Sequence, residues 1–128
     1  MLELKIYYED TDAGGIVYYA NYLKYFERAR TEMFESRGFS VAELAKKDVL
    51  FVVAHAELDY KSSAVLGDIL QVETKISELS KVSFWVDYTV KRKTDSSVVV
   101  TGRTKMACVS GSLKIQKIPQ EIAETLSK

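Results

Sequence analysis

The sequence predicts an α+β fold in which one long helix lies across an antiparallel sheet of about five strands. Three observations carry this expectation. A single long stretch, residues 20–38, has apolar residues at helical spacing. Four later segments alternate at strand spacing and are joined by short turns. No repeat, low-complexity tract or Pro/Gly-rich linker interrupts the 128 residues, so one domain over residues 1–128 is expected.

Leu2 to Tyr8 reads as a short strand with Leu2, Leu4 and Ile6 on one side. An acidic turn follows, and then "ANYLKYFERARTEMFESRG" places Tyr22, Phe26, Ala29 and Met33 at i, i+4, i+7 and i+11. Arg28 and Glu32 stand one turn apart on its polar side. Gly38 supplies the residue that most readily closes a helix in the left-handed conformation. In "FSVAELAKK" Ser40 and Glu43 have the spacing of a capping box, with Phe39 and Leu44 at the staple positions. A second, short helix is expected there.

"VLFVVAHAELDY" begins apolar on both faces and then sets Ala54, Ala56, Leu58 and Tyr60 against His55, Glu57 and Asp59. "DILQVETKI" alternates Leu70, Val72, Thr74 and Ile76 against Gln71, Glu73 and Lys75. "KVSFWVDYTVKRK" aligns Val82, Phe84, Val86, Tyr88 and Val90, and "SVVVTGRTKMACV" follows the turn residues of "KTDSS". Pro119, the only proline, opens a last helix in "PQEIAETL". Sequential strands with tight connections imply antiparallel pairing. One helix covers one face, so the other face or an edge is expected to meet a second subunit.

Composition narrows the function classes. Hydrophobic residues make up 47% and charged residues 28%, an ordinary globular profile. Lys and Arg (18) balance Asp and Glu (18), so no net field favours nucleic acid or an anionic membrane. A lone cysteine, Cys108, allows no intrachain disulfide and fits a reducing compartment. No basic start followed by a long apolar run is visible, and no stretch is long enough to span a bilayer, so a cytoplasmic protein is expected. His55 is the only histidine, which leaves triads and zinc sites without partners; a surface or interface position is expected for it. Cys108 has the surroundings of a buried, inert thiol. No G-x-S-x-G elbow, phosphate loop or dinucleotide loop is present.

One stretch remains, "YYEDTDAGGIVYYANY" at residues 7–22, with three carboxylates, two adjacent glycines and five tyrosines. An acidic turn that caps its own amides accounts for it. So does a site in which a carboxylate works beside the unpaired amides of the following helix, as acyl transfer requires. Spacing permits both.

The same stretch strongly resembles the signature of hotdog-fold acyl-CoA thioesterases of the 4-hydroxybenzoyl-CoA thioesterase family. Within that family it is most similar to the Tol-Pal-associated group. The pattern D-T-D-x-x-G-x-V-Y-x-x-x-Y is met by Asp10, Thr11, Asp12, Gly15, Val17, Tyr18 and Tyr22, and "YFERARTE" and "LDYKSSAVLGDILQV" extend the likeness over nearly the whole chain. The resemblance implies a hotdog fold, an acyl-CoA substrate, and homodimers or homotetramers with the active site at the dimer interface. It implies Asp12 as nucleophile or general base, with the backbone N–H of Tyr19 polarising the carbonyl. Gly15, Val17, Tyr18, Tyr22 and Glu27 become pocket or supporting residues, while Asp10 and Thr11 shape the turn. No metal or other cofactor is expected. Lys61, Arg92, Arg103 and Lys105 are the cations available for coenzyme A phosphates. Tyr19 is the departure, because many members of the Tol-Pal-associated group carry histidine there. A non-catalytic acyl-CoA-binding protein of the same fold is the competing expectation; a hotdog hydratase ranks last, because it needs an Asp/His pair that this sequence lacks.

Overall fold

A computed structural model describes residues 1–128. Strands β1 (Leu2–Lys5), β2 (Leu50–Tyr60), β3 (Ile69–Ser77), β4 (Ser83–Arg92) and β5 (Val98–Val109) form one sheet in the order β1-β3-β4-β5-β2. Every neighbouring pair is antiparallel. Helices α1 (Asn21–Ser36), α2 (Val41–Lys46) and α3 (Gln120–Leu126) complete the chain.

Helix α1 forms where its apolar spacing placed it, and it buries Tyr22, Tyr25, Phe26, Ala29, Met33 and Phe34. These meet Leu70 and Val72 of β3, Phe84, Val86, Tyr88 and Val90 of β4, and Val100, Met106 and Cys108 of β5 in one cluster. The closest approach is aromatic: the Phe26 ring stacks on Tyr88 with centroids 4.0 Å apart and planes 4° from parallel. Gly102 on β5 makes room for it, since a Cβ there would lie 2.7 Å from the Phe26 ring and from the Glu57 carbonyl. Below this contact Arg30 Nη1 donates to the Tyr88 hydroxyl (3.0 Å), which lies 2.7 Å from the hydroxyl of buried Thr104. A polar network thus ties the helix to the sheet where no water reaches Thr104.

The helix ends at Gly38, whose φ of +89° is the left-handed conformation. Phe39 N–H donates to the Phe34 carbonyl and Gly38 N–H to Glu35, the paired bonds of a Schellman ending. At α2 the Ser40 hydroxyl accepts Glu43 N–H at 3.2 Å. Glu43 does not return the bond; its carboxylate turns outward to Lys46. Only half of the expected capping box forms.

Three expectations need adjustment. The first strand stops at Lys5, because the Asp10 side chain takes the Tyr7 N–H and Tyr8–Asp10 closes into a 3-10 turn. The final helix begins one residue later than expected, with Pro119 as its cap. In β2 the register shifts between Val53 and His55, so Ala54 bulges out of the alternation. Strand β2 is also an edge, and Ala54, Ala56 and Tyr60 are all exposed. Phe51 and Leu58 pack from it against the core.

The face of the sheet away from α1 is charged. Directly opposed residues run Lys75, Asp87, Arg103 and Glu57 across β3, β4, β5 and β2. The next row runs Ser77, Trp85, Lys105 and His55, with the Arg103 guanidinium 4.0 Å over the Trp85 ring. His55 is exposed and its Nε2 lies 2.9 Å from Glu57. Cys108 is fully buried, and burial pushes its thiol pKa up. No helix is long and apolar enough to cross a membrane.

Candidate active site

The acidic turn is folded by its own polar groups. Asp12 N–H donates to the Ile16 carbonyl (2.9 Å), Gly15 N–H to the Asp12 carbonyl (3.0 Å), and Thr11 and Val17 pair as an antiparallel bridge. Gly15 sits at φ +81°, a conformation most residues avoid, and this reverses the chain. The hydroxyl of Thr11 donates to the Tyr8 carbonyl at 2.8 Å. Asp12 Oδ1 accepts Gly14 N–H at 2.8 Å. The side chain is otherwise exposed, and its second carboxylate oxygen has no partner. It opens into a cleft of about 420 Å³ lined by Tyr8, Thr11, Asp12, Ala13, Gly15 and Leu66.

Asp10 faces the other way. One of its carboxylate oxygens takes Tyr7 N–H (2.8 Å) and the other the Tyr25 hydroxyl (2.9 Å). Its carbonyl accepts both Tyr18 N–H and the Asn21 side-chain amide, each at 2.9 Å. Of the two aspartates only Asp12 keeps an uncommitted oxygen. Burial, with the bond to Asp10, raises the pKa of the Tyr25 phenol, so it remains a donor.

The start of α1 supplies polarity of opposite sign. Its cap, Ala20, has no side chain to offer, and the N–H groups of Tyr19, Ala20 and Tyr22 meet no acceptor in the chain. The helix dipole adds positive potential at this end. Tyr19 lines a second, smaller cleft of about 180 Å³ with Ile16, Val17, Tyr22, Tyr60, Ser62 and Ser63. Tyr60 bridges back to it, its hydroxyl donating to the Tyr19 carbonyl at 3.2 Å. The Tyr18 ring lies 4.8 Å from that of Tyr19. Its phenol pKa is raised, first by Tyr19, then by lost solvent, then by the Asp12 carboxylate. Val17 and Tyr22 are buried beneath, and burial lifts the Tyr22 phenol to about 12.

One chain thus gathers Asp12, Thr11 and Gly15 in one cleft and Tyr19, Val17 and Tyr22 in its neighbour. Glu27 joins neither. It lies two turns along α1, beside Arg30, Thr31, Phe34, Val41, Phe51 and Met106, and accepts from the Thr31 hydroxyl at 3.2 Å. Two of the four candidate cations are already engaged. Arg92 is ion-paired with Asp68 and Asp95, and Arg103 with Glu78 and Asp87. Lys61 and Lys105 enter no ion pair, and Lys61 stands in sequence between Tyr60 and Ser62, which line the smaller cleft. No group of three or more His, Cys, Asp or Glu side chains gathers into a metal-binding arrangement.

Residue-by-residue reading of the sequence missed Tyr8, Tyr60 and Leu66 as cleft residues. Tyr60 and Leu66 lie within "LDYKSSAVLGDILQV", the second block of resemblance. No spacing rule places a tyrosine 41 positions away beside the Tyr19 carbonyl.

Similarity to known proteins completes the picture. The protein from Thermus thermophilus called TT1821 superposes with a TM-score of 0.93 over 98% of this chain and 95% of its own, at 28% identity. A gentisyl-coenzyme A thioesterase, BH1999, superposes with a TM-score of 0.92 over the whole of both chains, at 25% identity. The sheet and its helix therefore form a hotdog fold. The acyl-CoA thioesterase YbgC of Haemophilus influenzae is 40% identical over 121 residues, 93% of this chain and 88% of that protein. The thioesterase-like superfamily matches residues 7–126, and the chain belongs to that family.

Proposed function

We propose that this chain hydrolyses an acyl-CoA thioester to the free carboxylic acid and coenzyme A. The observation that carries the reading is the Asp12 carboxylate, pinned at one oxygen by Gly14 N–H and free at the other, close to a helix start with unpaired amides. Kinship with YbgC and with BH1999 supplies the substrate class.

A thioester carbonyl is more electrophilic than an ester carbonyl, and thiolate leaves readily. One carboxylate and one good oxyanion donor are then enough. Asp12 either attacks the carbonyl, giving an anhydride that water opens, or takes a proton from an attacking water. In both routes the C–S bond breaks, the sulfur leaves as coenzyme A, and the carbonyl oxygen leans on the N–H of Tyr19 while it carries charge. Single-turnover hydrolysis in isotopically labelled water separates the routes, because only an anhydride opened at the aspartyl carbonyl can place label in the protein carboxylate. Lys61, free of ion pairs and in sequence between two residues that line the smaller cleft, is the cation we assign to the coenzyme A phosphates. The reaction draws on no metal or other cofactor.

Two subunits make the working unit in this reading. The free edge of β2 and the exposed side chains around both clefts are what a partner copy covers, and the active site forms at that junction. The lone, unbridged thiol fits a reducing, cytoplasmic setting.

The test is thiol release from a panel of acyl-CoAs of varied chain length and aromaticity. Asp12→Asn is expected to lower turnover by roughly 10²-fold or more. Binding of acyl-CoA without turnover in the unaltered protein, or near-normal rates in the variant, would overturn the reading and favour a non-catalytic acyl-CoA carrier.

A further inference from the structure

We infer that Tyr25 and Asn21 are positioning residues for this reaction, acting through Asp10 on the separation between Asp12 and the amide of Tyr19. The inference rests on the thioesterase reading above and adds residues that reading does not use. The two reacting groups sit on different segments: Asp12 on the acidic turn, and the Tyr19 amide at the mouth of α1. Between them lies a reversal through Gly14 and Gly15, closed within itself by Asp12 N–H on the Ile16 carbonyl and by the Thr11–Val17 bridge, but not tied to α1 by those bonds.

The cross-links that tie this turn to α1 converge on Asp10. Its carbonyl takes Tyr18 N–H, one residue before Tyr19, and the Asn21 side-chain amide from the first turn of α1. Its carboxylate takes the Tyr25 hydroxyl from the next turn, at 2.9 Å. Asp10 is itself two residues before Asp12. The clamp therefore grips the chain immediately beside each reacting group.

Tyr25 is built to be rigid. It is 1% exposed, and its ring packs edge-on against Tyr22 with centroids 5.6 Å apart. The Arg28 guanidinium lies over the same ring, 5.8 Å from its centroid. A ring so enclosed delivers its hydroxyl to one place. Drift of about 1 Å between reacting groups costs up to 10²-fold in rate, so a clamp of this kind has kinetic consequences.

The experiment compares Tyr25→Phe and Asn21→Ala with the unaltered protein by steady-state thiol release and thermal melting, alone and in an Asp12→Asn background. Tyr25→Phe keeps the ring and removes only the clamp oxygen. Each single variant is expected to lose about tenfold in kcat with KM within about twofold and melting nearly unchanged. In the Asp12→Asn background the same changes should cost less than about twofold, because the group they position is gone. Unaltered kcat in both single variants, or a loss confined to KM or to melting, overturns the inference. So does a full tenfold further loss in the Asp12→Asn background. If Tyr25→Phe fails to fold, Asn21→Ala decides by the same criteria. Failure of the underlying reading looks different, since Asp12→Asn itself would then keep the rate of the unaltered protein, and the positioning role would fall with it.

Discussion

Asp10 and Asp12 are the same residue type two positions apart, yet their surroundings divide their work. Asp10 has every strong acceptor filled, by two backbone amides, one side-chain amide and a phenol. Asp12 holds one amide and leaves an oxygen open to a cleft. A carboxylate fully committed to neutral donors is a poor nucleophile and a poor base, and one with a free lone pair facing a ligand space is neither. Gly102 shows the same local logic in packing. A methyl group there would meet the Phe26 ring and the Glu57 carbonyl at 2.7 Å, and neither a stacked ring nor a strand carbonyl yields easily. Gly102→Ala is expected to lower stability by about 1–3 kcal/mol, the usual cost of overpacking. Denaturant unfolding measures it; a midpoint unchanged from the parent would mean that α1 rides higher above the sheet than the stacked rings imply.

Among the elements β2 is the one left unfinished. It is eleven residues long, pairs only with β5, and shows Val52 and Val53 at 37% and 48% exposure. A long apolar edge is a template for another strand, and natural edges are normally blunted by charge, proline or brevity. The sheet's other edge, β1, is short: four residues in which Leu2 and Leu4 alternate with Glu3 and Lys5. The outer face is the more charged surface, with Glu73 paired to Lys91 and Asp87 to Arg103 across neighbouring strands. The β2 edge is therefore where association is expected. Val53→Lys would bring like charges together across a two-fold and should shift sedimentation toward monomer, with circular dichroism unchanged. An unaltered sedimentation profile would move the interface elsewhere.

At the scale of the molecule, the two halves of the proposed chemistry occupy neighbouring clefts that remain open in a single chain. Exposed aromatic and aliphatic residues surround them: Tyr7, Tyr8, Tyr18, Tyr19, Tyr60, Val65 and Leu66. In the proposed dimer this exposed apolar surface around the site is what a partner subunit would cover. If a partner subunit completes it, activity per chain should fall when the protein is diluted through its dimer dissociation constant, and the melting temperature should rise with concentration. Activity per chain that stays constant into the range where sedimentation finds only monomer would place the whole site within one subunit.

The sequence by itself determined the order of elements, the α+β class, the apolar faces of α1 and β4, and the stretch that carries the candidate site. These are local properties: helical and strand periods bury one face wherever the partner surface lies, and a closing glycine acts on its own turn. Its signature around Asp12 carried the family as well. Only the tertiary structure decided that β2 is an edge, that Arg92 and Arg103 are bound to acids, that Glu27 lies in a separate cleft, and that Tyr60 reaches Tyr19. Each of these depends on which distant segments meet. Strand order and side-chain partnership across 41 or more positions leave no periodic trace, because they are set by how the sheet closes around α1.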